Sequence, residues 1–128
     1  MSTKRFTFED EVKLAKCVNV YDGDTVQLVF PVQGILYRWS CRLTGVDTPE
    51  LRTRNKQEKM YGYQVRDALR EKLANKMVMV HCGEFDKYGR LLVEILYENE
   101  NINNWLIENN YAKKYDGGKK SKWFVDEE

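Results

Sequence analysis

The spacing of apolar and polar positions changes several times along the chain, and each change marks an element. From Val12 to Phe30 the residues have strand character, interrupted by Tyr21-Asp-Gly-Asp24. Asp-Gly is a turn signal, and Thr25-Val-Gln-Leu-Val-Phe30 resumes the strand, so a β-hairpin is predicted. Pro31 to Gly34 predicts a second turn. Leu36 to Leu43 then alternates, with Tyr37, Trp39, Cys41 and Leu43 on one face and Arg38, Ser40 and Arg42 on the other. Arg42 is thereby set opposite the residues expected to face the core. The polar, basic stretch from Pro49 to Lys59 predicts a loop. From Tyr61 the period becomes helical: Tyr61, Val65, Ala68, Leu69 and Leu73 line one face of a helix ending near Asn75. Met77 to Cys82 predicts a strand, Asp86 to Gly89 a turn, and Arg90 to Tyr97 another strand. Asn103 is the expected N-cap of a short helix through Trp105, Leu106 and Ile107, with Asn110 suited to a left-handed C-terminal position. The Gly117-Gly118 pair and its lysines predict irregular chain. Five strands, three then two, with a helix between, give an α+β class. The expected architecture is a five-stranded OB-type Greek-key β-barrel with two helices and at most a short third.

A length of 128 residues, 42% of them hydrophobic, suits one domain with its own core, expected over residues 1–128 and folded over about 12–115. Net charge is only +1, so the overall field does not argue for a polyanionic partner. The distribution does more. Between Glu50 and Lys76 there are eight basic and four acidic residues, and Lys113 to Lys122 holds five lysines against Asp116. Such stripes suit a polyanion and suit an ordinary solvated face. Arg52, Arg54, Lys56 and Lys59 read equally as solvated surface and as a substrate guide. Cys17, Cys41 and Cys82 are odd in number, isolated and set among apolar residues, which predicts buried, reduced thiols and no disulfide framework. His81, the single histidine, is expected to be half-buried on a strand and has no second imidazole with which to hold zinc. The N-terminus lacks a charged-then-apolar leader and no apolar run reaches membrane length, so a soluble, intracellular (cytoplasmic) protein with no membrane partner is expected. A monomer is expected.

Chemistry concentrates in three short stretches: Asp22-Gly-Asp-Thr25, Arg42-Leu-Thr-Gly-Val-Asp47-Thr48-Pro49-Glu50, and Asp86-Lys-Tyr-Gly-Arg90. Chain reversals should gather their carboxylates and arginines. Carboxylates hold a hard cation, and guanidinium forks bind phosphate. The combination points to phosphodiester hydrolysis. Taken singly, each stretch also reads as an ordinary turn or surface strand.

These three motifs, in this order and at these intervals, resemble those of the staphylococcal nuclease (thermonuclease) family, over about Cys17 to Tyr115. The resemblance implies a single nuclease domain with an OB barrel, and calcium-dependent endonuclease cleavage of single- or double-stranded DNA and RNA leaving 3′-phosphate ends. By matching position it implies Asp24, Asp47 and the Thr48 carbonyl as calcium ligands, with Asp22 nearby. It implies Glu50 as general base and Arg42 and Arg90 as the phosphate-binding catalytic arginines. Lys87 and Tyr88 match the substrate-binding turn, and Tyr115 lies near a substrate-stacking tyrosine. The family's longer members continue past the second helix into a third, whereas here Lys113-Lys-Tyr-Asp-Gly-Gly-Lys-Lys120 runs into Ser-Lys-Trp123-Phe124, a departure from their pattern. The alternative is a non-catalytic OB-type module that binds single strands through Tyr88, Tyr115, Trp123 and the lysines, or one that anchors a protein partner through those aromatics.

Overall fold

A computed structural model describes residue 3 and residues 6–124 of the chain. The strands are β1 (Val12–Val20), β2 (Thr25–Val32), β3 (Ile35–Leu43), β4 (Val46–Asp47), β5 (Met77–Phe85), β6 (Leu91–Tyr97), β7 (Glu100–Asn101) and β8 (Lys113–Lys114); the helices are α1 (Lys56–Leu73) and α2 (Ile102–Glu108). The five long strands run in the order β3-β2-β1-β5-β6, each pair antiparallel. Parallel pairing of β3 with β6, Cys41↔Leu91 through Leu43↔Val93, closes the barrel. This is the expected α+β, OB-like fold, and closure removes the sheet edges that would otherwise need protection.

Alternation explains which residues fill it. Val26, Leu28 and Phe30 point inward from β2, as do Val78, Val80 and Cys82 from β5 and Leu91, Val93 and Ile95 from β6. On β1 the inward set shifts from Ala15 and Cys17 to Val20, because a bulge between Cys17 and Asn19 moves the period by one residue. On β3, Cys41 and Leu43 are buried as their alternation predicts, whereas Trp39 is half-buried and stacks on Phe30 at 5.0 Å between ring centroids. Helix α1 covers the barrel with Val65, Leu69 and Leu73, and α2 with Ile102 and Leu106. Cys17, Cys41 and Cys82 are buried free thiols, and burial pushes Cys17 up to about 11 and Cys41 up to about 12.

Three boundaries and one burial differ from the sequence reading. Strand β2 runs through Pro31 to Val32, so only Gln33 and Gly34 make the turn. Helix α1 starts at Lys56, five residues before the apolar period begins, because the Asn55 side chain caps it by accepting from the Glu58 amide at 3.0 Å. Asn101 caps α2, not Asn103, and accepts from the Asn104 amide at 3.1 Å. Asn103 is buried instead: it accepts from the Ile95 amide (3.1 Å) and donates to the carbonyls of Thr44 (2.9 Å) and Val93 (3.1 Å), tying α2 to the barrel. His81 is exposed on β5, 3.8 Å from Asp10. No helix among the described residues is long and apolar enough to cross a membrane.

Candidate active site

The first motif is the β1–β2 turn. The Tyr21 amide bonds to the Thr25 carbonyl at 2.9 Å, and the Asp22 carboxylate accepts from the Asp24 amide at 3.0 Å, which fixes the turn and aims Asp24. Gly23 is required by close approach. A Cβ built there would lie 2.7 Å from Val65 Cγ1 and 2.8 Å from Thr48 Cβ. The turn is therefore packed directly on α1 and on the second motif, two sequence-distant segments. Gly23→Ala is expected to cost about 1–3 kcal/mol, as overpacking typically does, with the urea midpoint as the readout.

The second motif leaves β3 and crosses to α1. Arg42 sits across the β2–β3 ladder from Thr25. Its guanidinium donates to the carbonyls of Leu43 (3.0 Å) and Val46 (3.3 Å) and pairs with Asp24 at 3.5 Å. Asp24, Asp47 and Thr48 are all buried, and Glu50 is exposed. The Glu50 amide donates to the Glu58 carboxylate at 2.7 Å, so the first turn of α1 holds the segment carrying Glu50. Gly62 lets α1 lie against that segment, since a Cβ there would meet Leu51 Cδ2 at 2.9 Å and the Pro49 carbonyl at 3.0 Å.

The third motif is the β5–β6 turn. Asp86 accepts from the amides of Tyr88 and Arg90, both at 2.9 Å, and pairs with Arg90 Nε at 2.8 Å. Burial works to raise the Asp86 carboxyl, but the Arg90 and Tyr88 hydrogen bonds outweigh it and hold the group below its ordinary value. Tyr88 is 73% exposed, with Lys87 and Arg90 each over its ring, at 5.2 and 5.5 Å. Barrel closure sets the start of β6 beside β3. Arg42, Lys87, Tyr88, Arg90, Tyr115 and Lys120 consequently line one open cleft of about 460 Å³.

The C-terminal segment reaches the same place through β8, whose pairing with β4 sets Lys113 opposite Asp47. The Tyr115 amide bonds to the Gly45 carbonyl at 3.0 Å, and its ring lies 5.8 Å from the Arg42 guanidinium. Lys120 was not singled out by the sequence. Its ammonium lies 3.4 Å from both Asp47 and Glu50 and 5.4 Å from the Tyr115 ring centroid. Burial works to lower the Lys120 pKa, but Asp47, Glu50 and Asp24 raise it above the ordinary lysine value. Trp123 belongs elsewhere: it packs on Tyr61 at 5.8 Å between ring centroids, under Lys113.

This arrangement favours positive charge beside the carboxylates. Burial and the neighbouring Asp24 carboxylate push Asp22 up to about 7. Among the described residues no three His, Cys, Asp or Glu side chains form a ready metal cage. What converges is two buried carboxylates, Asp24 and Asp47, with Lys120 standing in as a cation against Asp47 and Glu50. Hard oxygen donors of this kind, with water completing the shell, fit calcium's tolerant coordination.

The family model described as staphylococcal nuclease homologue matches residues 40–126. This chain belongs to the staphylococcal nuclease family. Among curated relatives of this nuclease-family chain, an uncharacterized protein of Methanocaldococcus jannaschii is 36% identical over 124 residues, covering 78% of this chain and 58% of its own length. The thermonuclease of Staphylococcus hyicus is 31% identical over 100 residues, covering 77% of this chain and 57% of its own. An uncharacterized endonuclease of Escherichia coli is 28% identical over 102 residues, covering 79% of this chain and 60% of its own. The chain thus spans less than two-thirds of the length of each. The matched stretch contains the second and third motifs and the Lys120 segment, while the Asp22–Thr25 turn lies before it.

Proposed function

We propose that the chain is a calcium-dependent nuclease that hydrolyses phosphodiester bonds in DNA and RNA and leaves 3′-phosphate ends. One observation carries the reading. Two arginines from separate strand ends face a single open cleft, and Lys120 joins that cleft to Asp47 and Glu50. A binder has no use for carboxylates beside a phosphate, since they repel it unless a cation intervenes.

The scissile phosphate lies in the cleft between Arg42 and Arg90. Each guanidinium is anchored on one side by protein groups, Arg42 by two carbonyls and Asp24, Arg90 by Asp86, and turns its remaining donors to the phosphate. Those donors stabilise charge that grows on the non-bridging oxygens as water adds to phosphorus. Glu50, exposed at the edge of the buried pair, takes the proton of the attacking water. The bond from phosphorus to the 5′-oxygen breaks, and that oxygen takes up a proton from solvent, which leaves the phosphate on the 3′ side. Asp24, Asp47 and the Thr48 carbonyl would hold calcium, with Asp22 nearby. A bound calcium ion supplies a Lewis acid for the phosphoryl oxygen and acidifies water in the site. Tyr88 and Tyr115, with Lys87, position the flanking nucleotides by stacking and charge.

The test is metal dependence. Calcium should support cleavage of single-stranded DNA and an excess of chelator should abolish it. Asp24→Ala should raise the calcium needed for half-maximal rate by at least about tenfold, because one of two charged ligands is gone. Full activity in excess chelator contradicts the assignment.

A further inference from the structure

A second cleft, of about 460 Å³, shares no lining residue with the first and takes no part in the chemistry above. Tyr21, Arg52, Lys59, Tyr63, Arg66 and Arg70 line it together with Leu51 and Thr53, and no carboxylate does. Four cations in one concavity repel each other, and an anionic occupant removes that repulsion. Their geometry is partly fixed. Arg70 Nε donates to the Val20 carbonyl at 2.9 Å, and Arg66, held by Asp67 at 2.9 Å, lies 4.6 Å over the Tyr63 ring. Among the described residues neither Arg52 nor Lys59 has a carboxylate partner. Tyr21 and Tyr63 are 49% and 40% exposed, leaving ring surface for a planar group. The position is as telling as the composition. Tyr21 immediately precedes Asp22 and Leu51 immediately follows Glu50, so the cleft adjoins both carboxylate motifs.

We propose that this cleft is a second nucleic-acid subsite, holding a single-stranded stretch that continues from the scissile phosphate. Arg52 and Lys59 contact its phosphates, and Tyr21 and Tyr63 stack its bases. Stacking on exposed rings needs unpaired bases, which selects single strands over duplex. The subsite rests on the nuclease reading for its occupant but not for its geometry. The cleft turns the ambiguous basic loop into two classes: Arg52 and Lys59 line it, and Arg54 and Lys56 do not.

The experiment is fluorescence anisotropy across a salt series, with a phosphorothioate oligothymidylate of about twelve nucleotides and with the corresponding dinucleotide. The double variant Arg52→Ala/Lys59→Ala should bind the longer probe at least about tenfold more weakly and lower its log–log salt slope by about 1.4, or about 0.7 for each lost phosphate contact. The dinucleotide, which reaches only the scissile site, should bind both proteins alike. Tyr21→Ala should weaken the longer probe by about tenfold and leave the salt slope intact, as loss of stacking does. Parent-like affinity and slope in the double variant overturn the subsite. Equal competition by a polyglutamate of matched charge also overturns it, in favour of an acidic-polypeptide surface. If the parent binds the longer probe in this manner yet cleaves no DNA, the subsite stands and the nuclease reading falls.

Discussion

Replacing Arg42 by lysine is expected to lower turnover roughly a hundred- to a thousandfold, and Arg90→Lys the same, although the charge is kept. The reason lies in how each guanidinium is already committed. Arg42 spends donors on the carbonyls of Leu43 and Val46 and on Asp24, and Arg90 spends Nε on Asp86. A planar fork with five donors can hold these partners and still present a fixed edge to the phosphate. A lysine ammonium in either place is drawn to the same partners, Asp24 or Asp86, and has no second edge to offer. The loss should fall on kcat, because the missing donors act on charge that develops during the reaction. Affinity for a non-cleavable oligonucleotide should change only a few-fold. Thermal midpoints of the variants are measured alongside, since Arg42 also ties β3 to β4. A variant that keeps its midpoint and most of its turnover would remove that arginine from the chemistry.

Glu50→Gln should reduce turnover by roughly two to four orders of magnitude while preserving fold and binding. The substitution keeps shape and removes the proton acceptor. Glu50 is exposed, and its segment is held by its own backbone amide bonded to Glu58, an anchor the substitution leaves intact. The side chain's sole ion pair among the described residues is with Lys120, at a partly exposed site where such a contact contributes little to stability. Binding of the non-cleavable oligonucleotide with calcium should therefore stay within a few-fold of the parent. Lost binding with retained turnover would make Glu50 a metal or structural residue instead of a base.

The barrel was legible because alternation is a local property, and closure requires its inward residues to be apolar. The bulge on β1 was not, since one extra residue between Cys17 and Asn19 leaves no mark in composition. Helix α1 began earlier than its apolar face because Lys56 to Met60 make a mostly solvent-facing first turn without an apolar period. The pair Asn55 and Glu58, three residues apart, was the available start signal. Asn101 and Asn103 compete for one cap on the basis of residue type alone, and only the buried carbonyls of Thr44 and Val93 decide which side chain turns inward. At the site, the motif residues were readable as types. Their assembly depends on Gly23 packed against Thr48 and Val65, and on β8 pairing with β4, both contacts between distant parts of the chain. Lys120 comes from that second route, 70 residues beyond Glu50, and no local pattern announces it.

The central claim is that this constellation hydrolyses phosphodiesters with calcium, and end-group analysis tests it most directly. A 5′-labelled single-stranded DNA is incubated with the chain in calcium and in excess chelator, and the products are treated with a 3′-phosphatase. The account predicts shortened fragments in calcium alone, each shifted in mobility by the phosphatase. Intact DNA in calcium, or fragments whose mobility the phosphatase leaves unchanged, would contradict it.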